Sequence, residues 1–312
     1  MNEELTQPLH AILLPSYAVL RIAGRDAVTF LQGQFTSDVR GLADGRTQLS
    51  ACCTNQGRVM AVVRFRQQDE AVYALLPADL ASRLATHLRK FVLRAKVEVL
   101  LAGDLHIGAI LTGSADAPVA RVGDPTELTM SPVPLAGSTE IVTFQYAPGR
   151  EVIAAPPAAW RAISGLSLSR PNERSQADWI AADIAAGLPE VTAGTTEQFI
   201  PQMLNLDLLD AVSFTKGCYT GQEIVARTQH LGRVKRRAMR FRLASGPAPE
   251  PLQNLLLDGA KAADVLVTAP RPGGAVELLA VTNLDVQGRS LATEDGRVAE
   301  PMPLPYPLVP DQ

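Results

Sequence analysis

The chain has 312 residues, more than one compact core usually accommodates, so its length predicts roughly two or three domains. Hydrophobic residues make up 46% of the sequence and charged residues 20%, with a formal net charge of −3. This balance is typical of a globular protein and predicts no overall attraction to nucleic acid or to a membrane surface.

The sequence predicts neither a secretory signal nor a membrane anchor. No apolar run approaches the roughly 20 residues that a membrane-spanning helix needs. The opening segment, Met1–His10, carries two acids where a secretory signal would carry Lys or Arg. We therefore expect a cytoplasmic protein without a membrane-spanning segment.

The cysteines and histidines argue against a disulfide framework and against a metal centre. Cys52, Cys53 and Cys218 are an odd set without a CxxC pair, which disfavours disulfides, a zinc ribbon and an all-cysteine cluster site. The four histidines are scattered, and no two have the spacing of ligands on one helix. A stably bound metal is therefore not expected.

The N-terminal part of the chain alternates between strand and helix patterns. Tyr17–Ile22 has the character of a short strand, and the apolar positions after Asp26 predict a helix with Asp26 as its N-cap. Further elements are expected at Gln48–Cys53, Arg58–Phe65, Ala71–Leu76, Leu80–Phe91 (a helix), Lys96–Leu101 and Leu105–Leu111. Neighbouring strands with intervening helices favour an α+β fold over a doubly wound parallel sheet.

The middle of the chain has weaker periodicity. Thr112–Ser138 is rich in Gly, Pro, Ser and Thr, which predicts loops around short strands at Val119–Val122 and Leu128–Ser131. Three elements are expected after it: a strand at Arg150–Ala154, a helix opened by Pro156 and Pro157, and a helix at Ser175–Ala186 that Gly187 ends.

The C-terminal part has the pattern of a small all-β unit. A proline-rich break at Ser245–Pro251 is predicted to be a domain boundary. Strands around Asp264–Ala269 and Val276–Thr282 alternate with glycine turns, so the last ~75 residues should form a small barrel or sandwich. The proline-spaced tail, Glu300–Pro310, suits an extended packing arm better than a ligand for an SH3-type domain.

The octet Lys216–Glu223, with the sequence KGCYTGQE, is the chain's most distinctive stretch. Its glycines allow backbone conformations that are closed to other residues and let a ligand approach closely. Thr220 is predicted to cap a helix over Gln222–Thr228, and Glu223 would complete a capping box.

Cys218 would lie just before this helix, with Lys216 nearby. A helix N-terminus and a neighbouring cation both stabilise a thiolate and lower the pKa of a cysteine. The alternative is a small buried cysteine at a loop-to-helix junction, the commonest role of a free cysteine. The residues alone leave both interpretations open, and no Ser/His/Asp or Cys/His triad is apparent.

The segment Ile224–Pro249 is strongly basic on an acidic chain. It contains no acid and seven basic residues: Arg227, Arg233, Lys235, Arg236, Arg237, Arg240 and Arg242. Such a local charge indicates a surface that binds a carboxylated cofactor, phosphates or RNA. A solvated strand face is the alternative, and the alternation of Met239, Phe241 and Leu243 is typical of one. Sequence-specific RNA binding is not supported, because stacking aromatics are missing nearby.

Several segments together carry one recognisable signature. They are LQGQFTSDV, TNQGRV, WIAADIAAGLPEV, FIPQMLNLD, VSFTKGCYTGQEIVAR and LPYPL, which begin at Leu31, Thr54, Trp179, Phe199, Val212 and Leu304. This set resembles the YgfZ family of folate-binding proteins in tRNA modification and iron–sulfur maintenance. The resemblance covers most of the chain and is weakest between Thr112 and Gly149, and the octet is its most specific part.

The resemblance implies the fold of the glycine-cleavage aminomethyltransferase, the T protein. Residues 1–232 would form two ferredoxin-like α+β halves around a folate-sized cavity, and residues 233–312 an antiparallel β-barrel. The implied function is a tetrahydrofolate-binding accessory protein that supports iron–sulfur enzymes and tRNA methylthiolation. Its implied partners are iron–sulfur proteins such as tRNA-methylthiolating enzymes, and tRNA itself would be contacted through Arg233–Arg242. The motif leaves open whether the protein turns over a substrate.

Two aromatic positions that the family associates with folate fall on Trp179 and Tyr17. Tyr17 replaces the tryptophan often found there, which keeps a stacking face of smaller area. A flat pterin stacked on an aromatic ring gains on the order of 1–3 kcal/mol. The alternative role for both rings is core packing, beside Leu20 for one and Ile180 for the other.

The remaining candidate residues come from the octet and from the Asp38 segment. Asp38 resembles the aspartate that aminomethyltransferases use in the one-carbon step, and its alternative role is to satisfy loop amides. By resemblance, the candidate catalytic residues are therefore Cys218, Lys216 and Asp38. The candidate folate-binding residues, besides the two aromatic ones, are Tyr219, Glu223 and Arg227.

Two alternative functions stay open on the sequence alone. A folate-dependent aminomethyl or one-carbon transferase would depend on Asp38, although the transferases lack the cysteine motif. An RNA- or protein-binding scaffold would use the basic segment and would need no small ligand.

Overall fold

The computed structural model describes residues 10–42, 46–111, 141–147, 149–162, 167–169 and 173–308. The strands expected at Val119–Val122 and Leu128–Ser131 lie outside these ranges. Within the ranges, the chain forms two sheets with their helices and a closed barrel. No helix in the described part of the chain is long and apolar enough to cross a lipid bilayer.

The predicted elements within the described ranges occur in the predicted order, together with several short strands that were not predicted. The strands are β1 His10–Leu13, β2 Tyr17–Ala23, β3 Thr47–Cys53, β4 Val59–Gln68, β5 Ala71–Pro77, β6 Glu98–Leu101, β7 His106–Leu111, β8 Val142–Ala147, β9 Arg150–Ala155, β10 Ser167–Ser169, β11 Arg236–Leu243, β12 Asn254–Leu257, β13 Ala260–Pro270, β14 Val276–Asn283, β15 Leu291–Thr293 and β16 Val298–Met302. The α-helices are α1 Ala27–Gln32, α2 Ala78–Arg89, α3 Pro157–Ala162, α4 Glu173–Ala185 and α5 Gln222–His230. Short 3₁₀ helices occur at Val39–Gly41, Pro201–Leu204, Pro272–Gly274 and Leu284–Val286.

The first half of the α+β region is an antiparallel sheet in the order β3-β4-β5-β2-β6. Helix α2 packs against β2, β5 and β6. Leu80, Leu84 and Leu88 are buried on one face of this helix, as their spacing predicts. Burial of each leucine contributes about 2 kcal/mol, which fixes the helix on the sheet.

The second half is a sheet in the order β10-β1-β7-β9-β8, in which β1 and β10 run parallel and the other pairs antiparallel. Its strand β1 comes from the start of the described chain, so the two halves are intertwined rather than consecutive. Strand β8 packs against β4 of the first sheet. The prediction of an α+β fold with two halves is confirmed.

The C-terminal strands close into an antiparallel barrel in the order β11-β14-β13-β12-β15-β16, with β16 pairing back onto β11. Met239, Phe241 and Leu243 point inward from β11 and are buried. Their alternation with arginines is the pattern of a strand with one face in a core and one in solvent. The predicted small barrel is confirmed.

The predicted boundary at Ser245–Pro251 is wrong. Strand β11 already belongs to the barrel, so this proline-rich stretch is the loop between the first and second barrel strands. A composition shift marks a break in secondary structure, and it cannot tell a linker from a loop inside one unit.

The predicted tail begins inside strand β16, and its described part after that strand, residues 303–308, is a packing arm as expected. The hydroxyl of Tyr306 donates to the carbonyl of Gly187 at 2.5 Å and accepts from the side chain of Asn205 at 3.3 Å. Gly187 has φ +65°, and a Cβ there would lie 2.6 Å from the Tyr306 hydroxyl. Glycine is therefore required at this position both by the backbone and by the arm.

The predicted side-chain cap of α1 is wrong. Asp26 occupies the N-cap position without a side-chain hydrogen bond to the helix. Its carboxylate accepts instead from the backbone amide of Lys96 at 2.7 Å. The competing donor comes from the segment before β6, which sequence patterns around Asp26 could not reveal.

Candidate functional site

The octet Lys216–Glu223 packs against two other segments of the family signature, those that begin at Thr54 and at Leu31. Gly221 has φ +83°, and a Cβ there would overlap the carbonyl oxygen of Thr54 in the turn between β3 and β4. The amide of Thr220 donates to the carbonyl of Gly33, just after α1, at 3.3 Å. The octet therefore has a fixed position against both segments.

The predicted capping box is wrong. Helix α5 begins at Gln222 with Gly221 as its N-cap, and no side chain caps it. Thr220 thus lies one residue too early to pair with Glu223. The side-chain oxygen of Gln222 instead accepts from the amide of Tyr219 at 3.1 Å.

The ammonium group of Lys216 is held by backbone carbonyls. It donates to the carbonyl of Phe35 at 2.7 Å and to that of Ser37 at 2.6 Å. It also lies 5.1 Å from the ring centroid of Tyr219. Burial lowers the pKa of Lys216 to about 8, and the charge of Asp38 opposes this shift. Lys216 therefore ties the octet to the segment after α1.

Asp38 lies at this same corner of the molecule. Its carboxylate accepts from the side-chain amide of Gln32 at 2.9 Å and from the backbone amide of Arg40 at 3.2 Å. The structure thus brings Asp38 and Lys216 together. It also gives Asp38 the loop-capping contact that the sequence offered as its alternative role.

Cys218 is exposed, whereas Cys52 and Cys53 are buried in β3. Burial raises the pKa of Cys52 to about 12 and that of Cys53 well above its usual value, so both stay protonated thiols. The alternative of Cys218 as a buried, inert cysteine is wrong. Its thiol is accessible to a reactant from outside.

The remaining candidates from the octet and α5 differ in their burial. Tyr219 is buried, and its hydroxyl has no hydrogen-bond partner within the described ranges. Burial raises the pKa of this tyrosine, so it stays neutral. Glu223 and Arg227 are exposed on α5. These two side chains are therefore in solvent, whereas the Tyr219 ring lies in the interior.

Trp179 and Tyr17 meet in a second cluster, although 162 positions separate them in sequence. The indole N–H of Trp179 donates to the Tyr17 hydroxyl at 3.4 Å. Tyr146 of β8 joins them, with its ring centroid 4.7 Å from that of Trp179 and its hydroxyl 3.3 Å from that of Tyr17. Trp179 is 1% exposed and Tyr17 6% exposed, so both rings sit inside the protein.

Charged side chains surround these rings. Arg150 forms a buried ion pair with Asp183 at 2.6 Å, and the Tyr146 hydroxyl donates to the same carboxylate at 2.8 Å. The guanidinium of Arg64 lies 3.4 Å from the Tyr146 ring centroid, a cation–π contact. Nη2 of Arg150 is buried and has no hydrogen-bond partner among the described residues. A buried donor without a partner is unusual in a folded protein.

Glu190 completes this cluster, because its carboxylate accepts from the Tyr17 hydroxyl. Burial raises the pKa of Glu190 to about 7. The sequence analysis missed it, together with the other four members, Arg64, Tyr146, Arg150 and Asp183. One signal was available: Asp183 follows Trp179 by four positions and so shares its helix face. Arg64, Tyr146 and Arg150 come from strands β4, β8 and β9, and the sequence does not show how these strands pack around the helix.

The basic segment is partly neutralised in the fold. Three of its arginines form ion pairs with acids from elsewhere in the chain: Arg236 with Asp264 at 2.6 Å, Arg237 with Asp207 at 2.8 Å and Arg240 with Glu277 at 2.6 Å. Arg233, Lys235 and Arg242 are exposed. The basic surface is therefore smaller than the local charge of the sequence suggests.

A cleft of about 510 Å³ lies elsewhere, between Arg21 and Tyr73 of the first sheet and Pro156 at the end of β9. None of the candidate site residues lines it. Within the described ranges, no three His, Cys, Asp or Glu side chains are grouped so that they could hold a metal ion.

Comparison with known proteins finds similar sequences over nearly the whole chain. The chain is 29% identical over 309 residues to the tRNA-modifying protein YgfZ of Colwellia psychrerythraea, covering 96% of this chain and 94% of that protein. It is 28% identical, with the same coverage, to the proteins of that name from Klebsiella pneumoniae and Shigella sonnei. The chain is thus similar to YgfZ proteins over nearly its whole length. No family model matches it.

The fold agrees with that of a solved T protein. The glycine cleavage system aminomethyltransferase T from Bartonella henselae superposes with a TM-score of 0.69, covering 96% of this chain and 86% of that one, at 16% identity. At this identity the likeness establishes the fold alone. It confirms the aminomethyltransferase-like architecture that the YgfZ resemblance implied.

Proposed function

We propose that the chain is a cytoplasmic tetrahydrofolate-binding accessory protein that supports iron–sulfur enzymes in tRNA modification, including methylthiolation. The observation that carries the folate part is the cluster around Trp179 and Tyr17, in which Arg150 keeps an unpaired buried donor. The tRNA part rests on homology to proteins named for tRNA modification.

The residues of this cluster suit a pterin. A pterin is flat and aromatic, and its edge carries N–H donors beside a carbonyl acceptor. Aromatic walls, a guanidinium donor and a carboxylate acceptor are the complementary groups, and Arg150 and Glu190 supply the polar ones. Tetrahydrofolate, when bound, would supply a carrier of one-carbon groups, and the chain's own residues would bind and orient it.

A fluorescence titration tests folate binding. The chain has two tryptophans, Trp179 in the cluster and Trp160, whose indole N–H donates to backbone carbonyls of β7 and β9. We expect tetrahydrofolate to quench the wild-type emission and to quench the Trp179→Phe variant much less. Calorimetry on the same samples separates binding from optical effects. If wild type gave neither a heat of binding nor quenching, folate binding would be refuted.

We propose that the exposed Cys218 acts on the client, by which we mean the iron–sulfur enzyme that this protein supports. The group it would act on is a sulfur atom, a thiol or a cluster. A single cysteine cannot supply the usual four ligands of an iron–sulfur cluster, so any cluster contact would be shared with the client. We expect Cys218→Ala to fail to restore tRNA methylthiolation in a strain that lacks the protein, and Cys52→Ala to serve as the matched control. Full restoration by Cys218→Ala would refute the role of the thiol.

A one-carbon transferase is a second candidate. It is favoured by the meeting of Asp38 and Lys216 on an aminomethyltransferase-like fold. In that case wild type should turn over an aminomethyl donor in the presence of tetrahydrofolate, and Asp38→Ala should abolish turnover. Absence of turnover by wild type would eliminate this candidate without affecting the first.

A further inference from the structure

Glu190 is the acid of the aromatic cluster that forms no ion pair with another described residue. The other buried acid, Asp183, is paired with Arg150 and also accepts from the Tyr146 hydroxyl. Among the described residues, the Tyr17 hydroxyl is the side-chain donor to Glu190. Since an ionised carboxylate has about four acceptor sites, most of its capacity is unused.

Glu190 is also where the cluster is reachable from solvent. Tyr17 and Trp179 are almost fully buried, whereas Glu190, in the loop after α4, keeps an intermediate exposure. Surrounding protein is nevertheless the largest cause of its raised pKa. A carboxylate that is surrounded by protein and still partly exposed can accept hydrogen bonds from a ligand that approaches from solvent.

We propose that Glu190 is a ligand-binding and specificity-determining residue, which accepts hydrogen bonds from adjacent N–H donors on a nitrogen heterocycle of the aminopyrimidinone class. This rests on the proposed function, because it places the pterin edge of the folate at Glu190. Arg150, with its unpaired Nη2, donates to the carbonyl oxygen of the same ring.

The chemistry of the carboxylate sets the specificity. Two parallel N–H···O bonds to a charged acceptor are stronger and more directional than neutral ones. A site built this way rejects an analogue without the donors, because the buried acceptor is then left unpaired. A heterocycle with one donor replaced by oxygen should therefore bind much more weakly.

The charge state of Glu190 couples this binding to pH. The groups that act on it are Asp183 and Asp79, which raise its pKa, and Tyr17 and Arg64, which lower it, and burial brings the pKa to about 7. Tyr146 lies beside Tyr17 and stays neutral, because burial raises its pKa. The ionised carboxylate can accept one of the two N–H bonds at each oxygen, whereas protonation turns one oxygen into a donor, so affinity should rise with pH through this range.

The test measures the affinity for 5-formyltetrahydrofolate, a stable folate, at pH 6 and pH 8 by tryptophan fluorescence. Wild type should bind about tenfold more tightly at pH 8, since a group of pKa near 7 is mostly protonated at pH 6. Glu190→Gln should bind roughly tenfold to hundredfold more weakly at pH 8 and lose the pH dependence. Glu197→Gln is the control, because Glu197 is paired with Arg83 outside the cluster.

A second variant keeps the proposal testable if Glu190→Gln fails to fold. The Tyr17 hydrogen bond lowers the pKa of Glu190. Tyr17→Phe should therefore move the midpoint of the binding profile to higher pH, and an unchanged midpoint would overturn the proposal. Unchanged affinity of Glu190→Gln would overturn it while leaving folate binding intact. No binding by wild type at either pH would overturn the proposed function and this inference with it.

Discussion

At the scale of single residues, Lys216 both holds two backbone carbonyls and has a lowered pKa. Its ammonium is shared between the carbonyls of Phe35 and Ser37, and burial lowers its pKa from 10.5 to about 8. Between these pH values the unfolded chain binds more protons than the folded chain. Stability from this group is therefore fully present above about pH 10 and is lost as the pH falls through about 8.

This predicts a specific change in the Lys216→Met variant. The difference in the free energy of unfolding, wild type minus variant, should increase as the pH rises from 8 to 10. Urea unfolding at several pH values measures it, and subtraction cancels the titration of other lysines and tyrosines. Lys235→Met, at an exposed position, should give a flat difference. A flat difference for Lys216→Met as well would contradict the altered pKa.

At the scale of elements, sequence patterns predicted strands and helices well because those patterns are local. The alternation of Met239, Phe241 and Leu243 identifies β11, and the leucine spacing identifies α2. The caps failed for the opposite reason. The Asp26 carboxylate accepts a hydrogen bond from the amide of Lys96, which is distant in sequence. Gly221, and not Thr220, occupies the N-cap position of α5.

Helix α5 provides a direct test of the role of its glycine cap. Gly221 has a positive φ, and its missing Cβ makes room for the Thr54 carbonyl. Gly221→Ala should lower the free energy of unfolding by about 1–3 kcal/mol because it combines backbone strain with a clash. Thermal and urea unfolding measure the loss.

The octet contains its own control for this variant. A Cβ at Gly217 would have no neighbour within 4 Å, and its φ is not positive. Gly217→Ala should therefore change stability by less than about 0.5 kcal/mol. Equal effects of the two substitutions would mean that the contact with Thr54 does not fix the octet.

At the scale of the whole molecule, the sequence located single members of the site and not their environment. Trp179 and Tyr17 were found through the family resemblance, and the fold brings them into contact. Glu190, Arg150 and Arg64 were missed because their meeting depends on how two sheets and a loop pack together. The sequence overstated the basic surface of Ile224–Pro249 for a related reason, because the acids that pair with its arginines lie far away in sequence.

One of those ion pairs joins the barrel to the α+β region. Arg237 of β11 forms two hydrogen bonds with Asp207, at 2.9 and 2.8 Å, and a third with the carbonyl of Gln202 at 3.0 Å. The two side chains are 4% and 2% exposed. A bidentate pair buried this deeply leaves a costly unpaired charge when one partner is removed.

Arg237→Met should therefore lower the free energy of unfolding by about 3–5 kcal/mol, because the Asp207 carboxylate stays buried without its partner. The double variant Arg237→Met with Asp207→Leu should recover much of this loss, since no isolated charge then remains. Arg242→Met, on the exposed face of the same strand, should stay within about 0.5 kcal/mol of wild type. If the single and double variants were equally unstable, the loss would come from packing and not from the buried charge.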